Sequence, residues 1–417
     1  MSTYHFDTRV LHAGLRPEQW QGATQPPIFQ NASYAFDTAD SLSRCFAGQE
    51  SKDVYSRLSN PTNKALEDRI TALEGGKDAC VTASGMAAIS SLIMGLVRAG
   101  DEIVAGSSLF VSTHNIFNKL LPRYGVTTTL VDPTDMAGFE AAITEKTRLL
   151  FVEIIGNPQM DVPDIRALAD LAHSRNIPLI VDNTLASPWL CRPIELGADV
   201  VIHSTTKFLN GHGNAMGGVI VDAGTFDFST ENFADFEPFV KTHPDSPLLH
   251  KVWSEFIVNF GPIQAPLHSY LTMIGLDTLH LRMPRHMENA MVLADFLKER
   301  PEVAWVNYPG LSDHPCHDLA EIQFAGKGFG SLMTFGLKDG SRCMKFVDNL
   351  ELVSTVANLG DSKTLIIHPR STQFVSFDDD ACREIGIPEE MLRFSVGIEH
   401  VDDIKTDLAR ALERTCS

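Results

Sequence analysis

Between residues 78 and 222 the chain repeats one unit: a short, almost unbroken apolar run followed by a stretch whose apolar residues recur at helical spacing. The runs are DACVTAS (78–84), DEIVAG (101–106), TTTLVD (127–132), RLLFVEII (148–155), IPLIVDNT (177–184), ADVVIHS (198–204) and GGVIVD (217–222). Patterns such as MAAISSLIMGLVRAG and DIRALADLAHSRN separate most of them. A strand with one wet face alternates polar and apolar residues, whereas a continuously apolar one is covered on both faces. These runs therefore predict a mainly parallel seven-stranded sheet between layers of helix, an α/β fold. The amphipathic NKALEDRITALEGG reads as a helix stopped by Gly75 and Gly76.

Either side of this region the rhythm changes. Residues 1–61 are rich in Gln, Asn, Ser, Thr and Pro without sustained periodicity and read as an extended arm. After residue 222, TFDFSTENFADFEPFVKTHPDSP reads as an acidic loop, and one long helical pattern runs through LHSYLTMIGLDTLHLRMPRHMENAMVLADFLKER. The runs VAWVNYP, SLMTFGL, LELVSTVAN and MLRFSVGIE predict further strands, closed by the helix VDDIKTDLARALERT. The expected organisation is an arm over 1–61, an α/β domain over 62–262 and a smaller C-terminal α/β domain over 263–417.

Composition narrows the function. The 417 residues are 44% hydrophobic, 21% charged and 8% aromatic, as in ordinary globular proteins. Acidic side chains outnumber basic ones 53 to 34, and a net charge of -19 disfavours nucleic acid and anionic membrane partners. It also means that any anion site must be built locally against the overall field. Seven cysteines (Cys45, Cys80, Cys191, Cys316, Cys343, Cys382, Cys416) without a C-x-x-C pair suit free thiols in a reducing compartment and no bound metal. The N-terminus carries His5, Asp7, Arg9 and His12 where a secretory signal needs an apolar stretch, so a cytoplasmic protein is expected.

In α/β folds ligands bind beyond the carboxyl ends of the strands, so the residues leaving each run carry the chemistry. The run ADVVIHS continues into Ser204, Thr205, Thr206 and Lys207. A lysine after hydroxyls at a strand end suits Schiff-base chemistry beside a phosphate, although on spacing alone a surface turn is the commoner reason for such a lysine. DACVTAS ends at Ser84, Gly85 and Met86 before a helix, which is either an anion site of free N–H groups or a capped turn. Asp182 ends an apolar run, either as partner to a protonated ring nitrogen or as a turn cap. Together, a phosphate cradle, a carboxylate and a lysine match the three handles of pyridoxal 5'-phosphate.

The segment HSTTKFLNGHG with the downstream GGVIVD resembles the cofactor-attachment signature of the transsulfuration (Cys/Met metabolism) pyridoxal-phosphate enzymes. YSRLSNPT at 55–62, ASGMAAI, EIIGNP at 153–158, VDNTLASP, YPGL at 308–311 and LRFSVGIE at 392–399 follow in the family's order. The resemblance implies the aspartate aminotransferase-like fold type I, with 62–262 as the cofactor-binding domain. It implies Lys207 as the cofactor lysine and proton shuttle, and Asp182 at the ring nitrogen. The phosphate falls to the N–H groups of Gly85 and Met86 and the hydroxyls of Ser204 and Thr206, with Ser84 also in the cofactor site. Tyr55, a catalytic candidate as well, and Arg57 reach in from a neighbouring subunit, which implies a homo-oligomer, a tetramer built from dimers. Arg393 is implied as the clamp on the substrate α-carboxylate, and Asn157 as a contact to cofactor or carboxylate. Phe110 stands where the family usually has a tyrosine; it can stack on the ring but cannot move a proton.

Within the family, VANLGDSKTLIIHPRST and the N-terminal FDTRVLHAG and GATQPPIFQNASYAF are most similar to the O-acetylhomoserine sulfhydrylase branch, with Asn358 where several lyases carry serine. That branch implies replacement of a γ-acyloxy group by sulfur to give homocysteine. O-succinylhomoserine sulfhydrylase, methionine γ-lyase and cystathionine γ-synthase or lyase use the same machinery. The sulfur donor is expected to be sulfide, with a thiocarboxylate carrier protein docking near 226–247 as the alternative. A nicotinamide dehydrogenase is disfavoured because GKGFGS and NGHGNAMGG lack the required spacing and context. A non-catalytic interaction protein has no use for Lys207, Asp182 and Arg393 together.

Overall fold

The computed structural model describes residues 4–416, with the side chains of residues 381, 383, 384 and 416 outside the description. Residues 1–3 of the expected arm and the thiol of Cys416 therefore lie outside the described residues. Seven strands form the larger sheet: β1 Asp78–Thr82, β2 Glu102–Gly106, β3 Thr127–Val131, β4 Thr147–Glu153, β5 Leu179–Asp182, β6 Val200–His203 and β7 Gly218–Asp222. Their order is β1-β7-β6-β5-β4-β2-β3. All neighbours run parallel except β7, which is antiparallel to both β6 and β1. Two antiparallel steps restore the direction, so β1, β2, β4, β5 and β6 all point their carboxyl ends to one edge.

Except in the edge strand β3, where Thr127 and Thr129 are exposed, the absence of alternation along these strands has the physical cause expected: both faces are dry. Val104, Val152, Val181, Val201 and Val221 pack on one face with Leu66, Ile70 and Leu73 of the helix Pro61–Glu74. Ile103, Phe151, Ile180, Ile202 and Ile220 pack on the other with Ile89 and Leu92 of the helix Gly85–Leu96. The Pro61–Glu74 helix is capped by Asn60, which accepts the Thr62 N–H at 3.0 Å, and stops at Gly75, whose φ of +80° is the left-handed conformation glycine adopts freely.

A second sheet, order β10-β11-β12-β9-β8, comprises β8 Val303–Asn307, β9 Leu332–Leu337, β10 Ser354–Thr355, β11 Leu365–Ile367 and β12 Met391–Ser395. The helices Leu279–Lys298 and Val401–Cys416 cover it through Leu293, Leu297, Leu408 and Leu412.

Four segments differ from the sequence expectation. The arm read as extended carries the helices Phe6–His12 and Ala39–Phe46. The first buries Val10 in the core, and the second is capped by Thr38, which accepts the Ser41 N–H at 3.1 Å. The acidic loop at 226–247 holds a 3-10 turn, Glu231–Phe236, and the helix Glu237–Thr242. Phe226, Phe228, Phe233 and Phe236 drive its order, with ring centroids 4.5–5.6 Å apart. The long helix is two helices, Pro266–Leu276 and Leu279–Lys298. Between them Asp277 turns to meet the buried Arg69 guanidinium at 2.7 Å, and an interrupted helix keeps that ion pair in reach. In LELVSTVAN only Ser354–Thr355 is strand, while Leu365–Ile367, not anticipated, supplies the neighbour of β12.

Candidate active site

The shared edge opens on a cavity of about 600 Å³ lined by residues from both sheets. That volume is in the range of sites for small organic ligands. Ser84, Gly85, Met86, Phe110, Asn157, Asp182, Ser204, Thr206, Lys207, Asn358 and Arg393 all line it, so eleven of the thirteen sequence-selected residues converge. Tyr55 and Arg57 do not line it. Tyr55 is 41% exposed, with the Arg57 guanidinium 5.4 Å from its ring centroid.

One end of the cavity is an anion cradle. Ser84 caps the helix that starts at Gly85 by accepting the Ala87 N–H at 3.1 Å. The N–H groups of Gly85 and Met86, in the first turn, have no intrahelical acceptor and carry the positive end of the helix dipole. A Cβ on Gly85 would lie 2.7 Å from the Ser204 Cβ, so only glycine lets the helix start meet the end of β6. Ser204 and Thr206 bring two hydroxyls to this end; that of Thr206 donates to the Gly217 carbonyl at 3.2 Å and accepts the Gly217 N–H at 3.0 Å.

Asp182 ends β5 and accepts the Thr184 N–H at 3.0 Å; Thr184 Oγ1 in turn accepts the Ser204 N–H at 2.8 Å. Burial pushes the Asp182 carboxyl above the usual range. A cationic ring nitrogen beside it reverses that trend, because the opposite charge favours the carboxylate. Behind it, the buried His203 Nε2 lies 2.5 Å from Glu74 Oε1, which also accepts from Asn183 at 2.9 Å.

Lys207 follows β6 and reaches across to the second sheet, its Nζ donating to Asn358 Oδ1 at 2.5 Å. Burial, and secondarily the Arg393 charge, bring its ammonium down to about 8. Arg393, on β12 and 2% exposed, donates to Asn157 Oδ1 at 3.3 Å, Gln373 Oε1 at 3.1 Å and the Asn358 carbonyl at 3.2 Å. Burial lowers it to about 10. A buried guanidinium held by neutral oxygens is a receptor for a carboxylate, which supplies the charge those partners lack.

The donor set fits pyridoxal phosphate: neutral donors for the phosphate, a carboxyl for the ring nitrogen, an amine of lowered pKa for the aldehyde and a flat apolar face at Phe110. Polar lining residues not singled out from the sequence include Glu153, Thr184, Gln373 and His268. Glu153 was legible in principle, since it ends an apolar strand as Asp182 does. Gln373 and His268 sit in loop and helix positions with no local signal. Among the described residues no cluster of three or more His, Cys, Asp or Glu could hold a metal. In the His314-Pro315-Cys316-His317 segment, His314 Nδ1 accepts the Cys316 N–H at 3.1 Å.

Fold and site together define a pyridoxal phosphate-dependent enzyme. The chain belongs to the Cys/Met metabolism PLP-dependent enzyme family, whose match spans residues 7–413. It is 41% identical to homocysteine synthase of Schizosaccharomyces pombe, covering 98% of both chains. It is 39% identical to O-succinylhomoserine sulfhydrylase of Pseudomonas aeruginosa, covering 98% of this chain and 95% of that one. Among solved structures, a Campylobacter jejuni protein assigned as an O-acetylhomoserine (thiol)-lyase superposes with a TM-score of 0.94 at 31% identity, over 98% of this chain and 100% of that one. That structure holds N'-pyridoxyl-lysine-5'-monophosphate.

Proposed function

We propose that the protein is an O-acetylhomoserine sulfhydrylase: the Cγ–O bond of O-acetylhomoserine breaks, a C–S bond to sulfide forms, and homocysteine and acetate leave. The observation that carries this reading is the Lys207–Asn358–Arg393 unit. Asn358 bonds the amine through its side chain and the guanidinium through its carbonyl, so proton carrier and carboxylate clamp keep a fixed spacing. Bound pyridoxal phosphate supplies the electron sink for charge that develops on substrate carbons. The chain's own residues do the rest. Gly85, Met86, Ser204 and Thr206 bind the phosphate, Asp182 stabilises positive charge on the ring nitrogen, and Phe110 stacks on the ring. Arg393 and Asn157 orient the substrate carboxylate, and Lys207 moves protons between adjacent carbons.

Two features favour an acetyl ester. Phe110 cannot protonate a departing group, and a carboxylate leaves without that help more readily than a thiolate does, which disfavours methionine and cystathionine as substrates. The basic side chains lining the cavity are Lys207, Arg393 and His268. The first two are committed to cofactor and α-carboxylate, and among the described residues the chain's own cavity wall offers no further Lys or Arg for the far carboxylate of a succinyl ester. kcat/KM for O-acetylhomoserine with sulfide is therefore expected to exceed that for O-succinylhomoserine by roughly tenfold or more. Homocysteine release from the two esters measures this directly, and equal or reversed preference would overturn the acetyl assignment.

The reading includes a homo-oligomer, a tetramer built from dimers, in which Tyr55 and Arg57 of one chain complete the phosphate site of another. Their place outside their own cavity supports this. It also includes a reducing, cytoplasmic setting, supported by six described cysteines that are all unpaired. Sulfide is the proposed donor, because Phe226, Phe228, Phe233 and Phe236 of 226–247 are spent on packing rather than on a docking surface.

A further inference from the structure

Glu153 is a buried acidic side chain in the cavity wall to which the proposed chemistry gives no task. It is the last residue of β4, 8% exposed, and its register partner across the parallel pair is Asp182 at the end of β5. Side chains in register on adjacent strands lie on the same face, so the two carboxyls stand side by side at the cavity floor. Two like charges side by side in a dry wall are costly, and one of them is dispensable for charge balance. Glu153 has a different set of partners. Its Oε1 accepts the backbone N–H of Phe110 at 2.6 Å, and the backbone N–H of Asn157 faces the same carboxyl.

Those two N–H groups belong to the loops that leave β2 and β4, and each loop presents one functional side chain. Phe110 is the N-cap of the short helix Val111–Asn115 and makes no side-chain cap hydrogen bond, while its carbonyl accepts the His114 N–H at 3.0 Å. Asn157 contacts Arg393 through Oδ1. One carboxyl thus ties the ring-stacking residue to the strand that ends beside Asp182 and faces the backbone of the carboxylate-orienting residue.

We propose that Glu153 is a positioning residue: by accepting the Phe110 N–H, with the Asn157 backbone facing the same carboxyl, it fixes the stacking face of the cofactor site and steadies the loop that presents Asn157 to Arg393. This rests on the cofactor assignment above but not on which acyl ester is the substrate. Burial, and secondarily the Asp182 charge, push the Glu153 carboxyl well above its usual range, which agrees with a wall that keeps Asp182 as its one anion. In that state a neutral acceptor of the same shape can replace it.

The test compares Glu153→Ala and Glu153→Gln, expressed with pyridoxal phosphate and then stripped for titration. Glu153→Gln keeps an acceptor oxygen in place; Glu153→Ala deletes it. The alanine variant is expected to bind pyridoxal phosphate about tenfold or more weakly and to lose most of the induced circular dichroism of the bound cofactor, with kcat falling more than KM rises. The glutamine variant is expected to keep the dichroism and an affinity within about threefold of the parent, an order-of-magnitude expectation for one neutral hydrogen-bond exchange. An alanine variant with parental affinity and dichroism would overturn the proposal, and so would a glutamine variant as impaired as alanine. Should the alanine variant not fold, Glu153→Asp, whose shorter arm leaves the Phe110 N–H unmet, takes its place with the same expected losses and the same overturning result. The parent's own cofactor spectrum checks the functional reading separately, so the two failures are distinguishable.

Discussion

Lys207→Ala is expected to abolish the visible absorption band of the holoenzyme and to lower homocysteine formation by about three orders of magnitude or more. Both losses follow from one atom. Among the described residues the ammonium is the only side-chain amine in the cavity wall, and in the proposed reading it carries the cofactor and moves protons. General acid–base transfer alone is worth roughly 10²–10⁴-fold, and the covalent anchor adds to it. Absorbance after reconstitution with pyridoxal phosphate, together with turnover of O-acetylhomoserine, measures both. An alanine variant that keeps the parental band would remove Lys207 from the reading altogether.

The same lysine carries a pH dependence. Burial and the Arg393 charge lower its ammonium to about 8, and only the neutral amine attacks an aldehyde. Because the neutral form accumulates as pH rises, capture of pyridoxal phosphate by the apoenzyme is expected to quicken about tenfold per pH unit below 8 and to level off above it. Stopped-flow absorbance between pH 6 and 9.5 shows the profile. A rate that still climbs to the end of that range would mean an amine with an ordinary pKa.

The second large effect is expected at Arg393. A guanidinium fork meets both oxygens of a carboxylate, and the three neutral oxygens that now hold it leave its charge to be balanced by substrate. Removing charge-assisted hydrogen bonds in a dry site costs about 3 kcal/mol, or roughly 150-fold in kcat/KM, for Arg393→Ala. Arg393→Lys keeps the charge but not the fork, and at least tenfold is expected to be lost, mostly in KM. The holoenzyme band should persist in both variants, which separates loss of substrate from loss of cofactor. A lysine variant within twofold of the parent would show that only charge matters there.

The acidic composition and the anionic ligand are reconciled by where the positive potential comes from. At the proposed phosphate end it comes from the first turn of the Gly85–Leu96 helix and from hydroxyls, none of which contributes to a count of charged residues. Lys207 and Arg393 are the two committed cations within the chain's own cavity wall, against an excess of nineteen negative charges over the whole chain. Net charge describes the outer surface, and the site is a local construction.

Much of this was legible in residue order because it depends on short-range physics. Continuously apolar runs demand a sheet covered on both faces, and Gly75 and Ser84 are local stop and start signals whose action does not depend on distant chain. Lys207, Asp182 and the Ser84-Gly85-Met86 turn could be selected because strand ends are the places where an α/β fold exposes chemistry. The segments read differently fail for a common reason. Whether Phe226, Phe228, Phe233 and Phe236 form a loop or a core cluster depends on their meeting one another and the sheet face. Whether the helix breaks at Asp277 depends on Arg69, more than two hundred residues earlier.

The sequence by itself determined which residue types stand at the ends of which strands, and through several ordered motifs the family and the cofactor. Only the tertiary structure decided that Asn358 joins Lys207 to Arg393, that Glu153 lies beside Asp182 and holds Phe110, and that Tyr55 and Arg57 stay out of their own chain's cavity. Periodicity and turn chemistry act over a few residues and can be read along the chain. Pairings across strands and between sheets arise from packing, which brings together positions whose separation in sequence carries no trace of their contact.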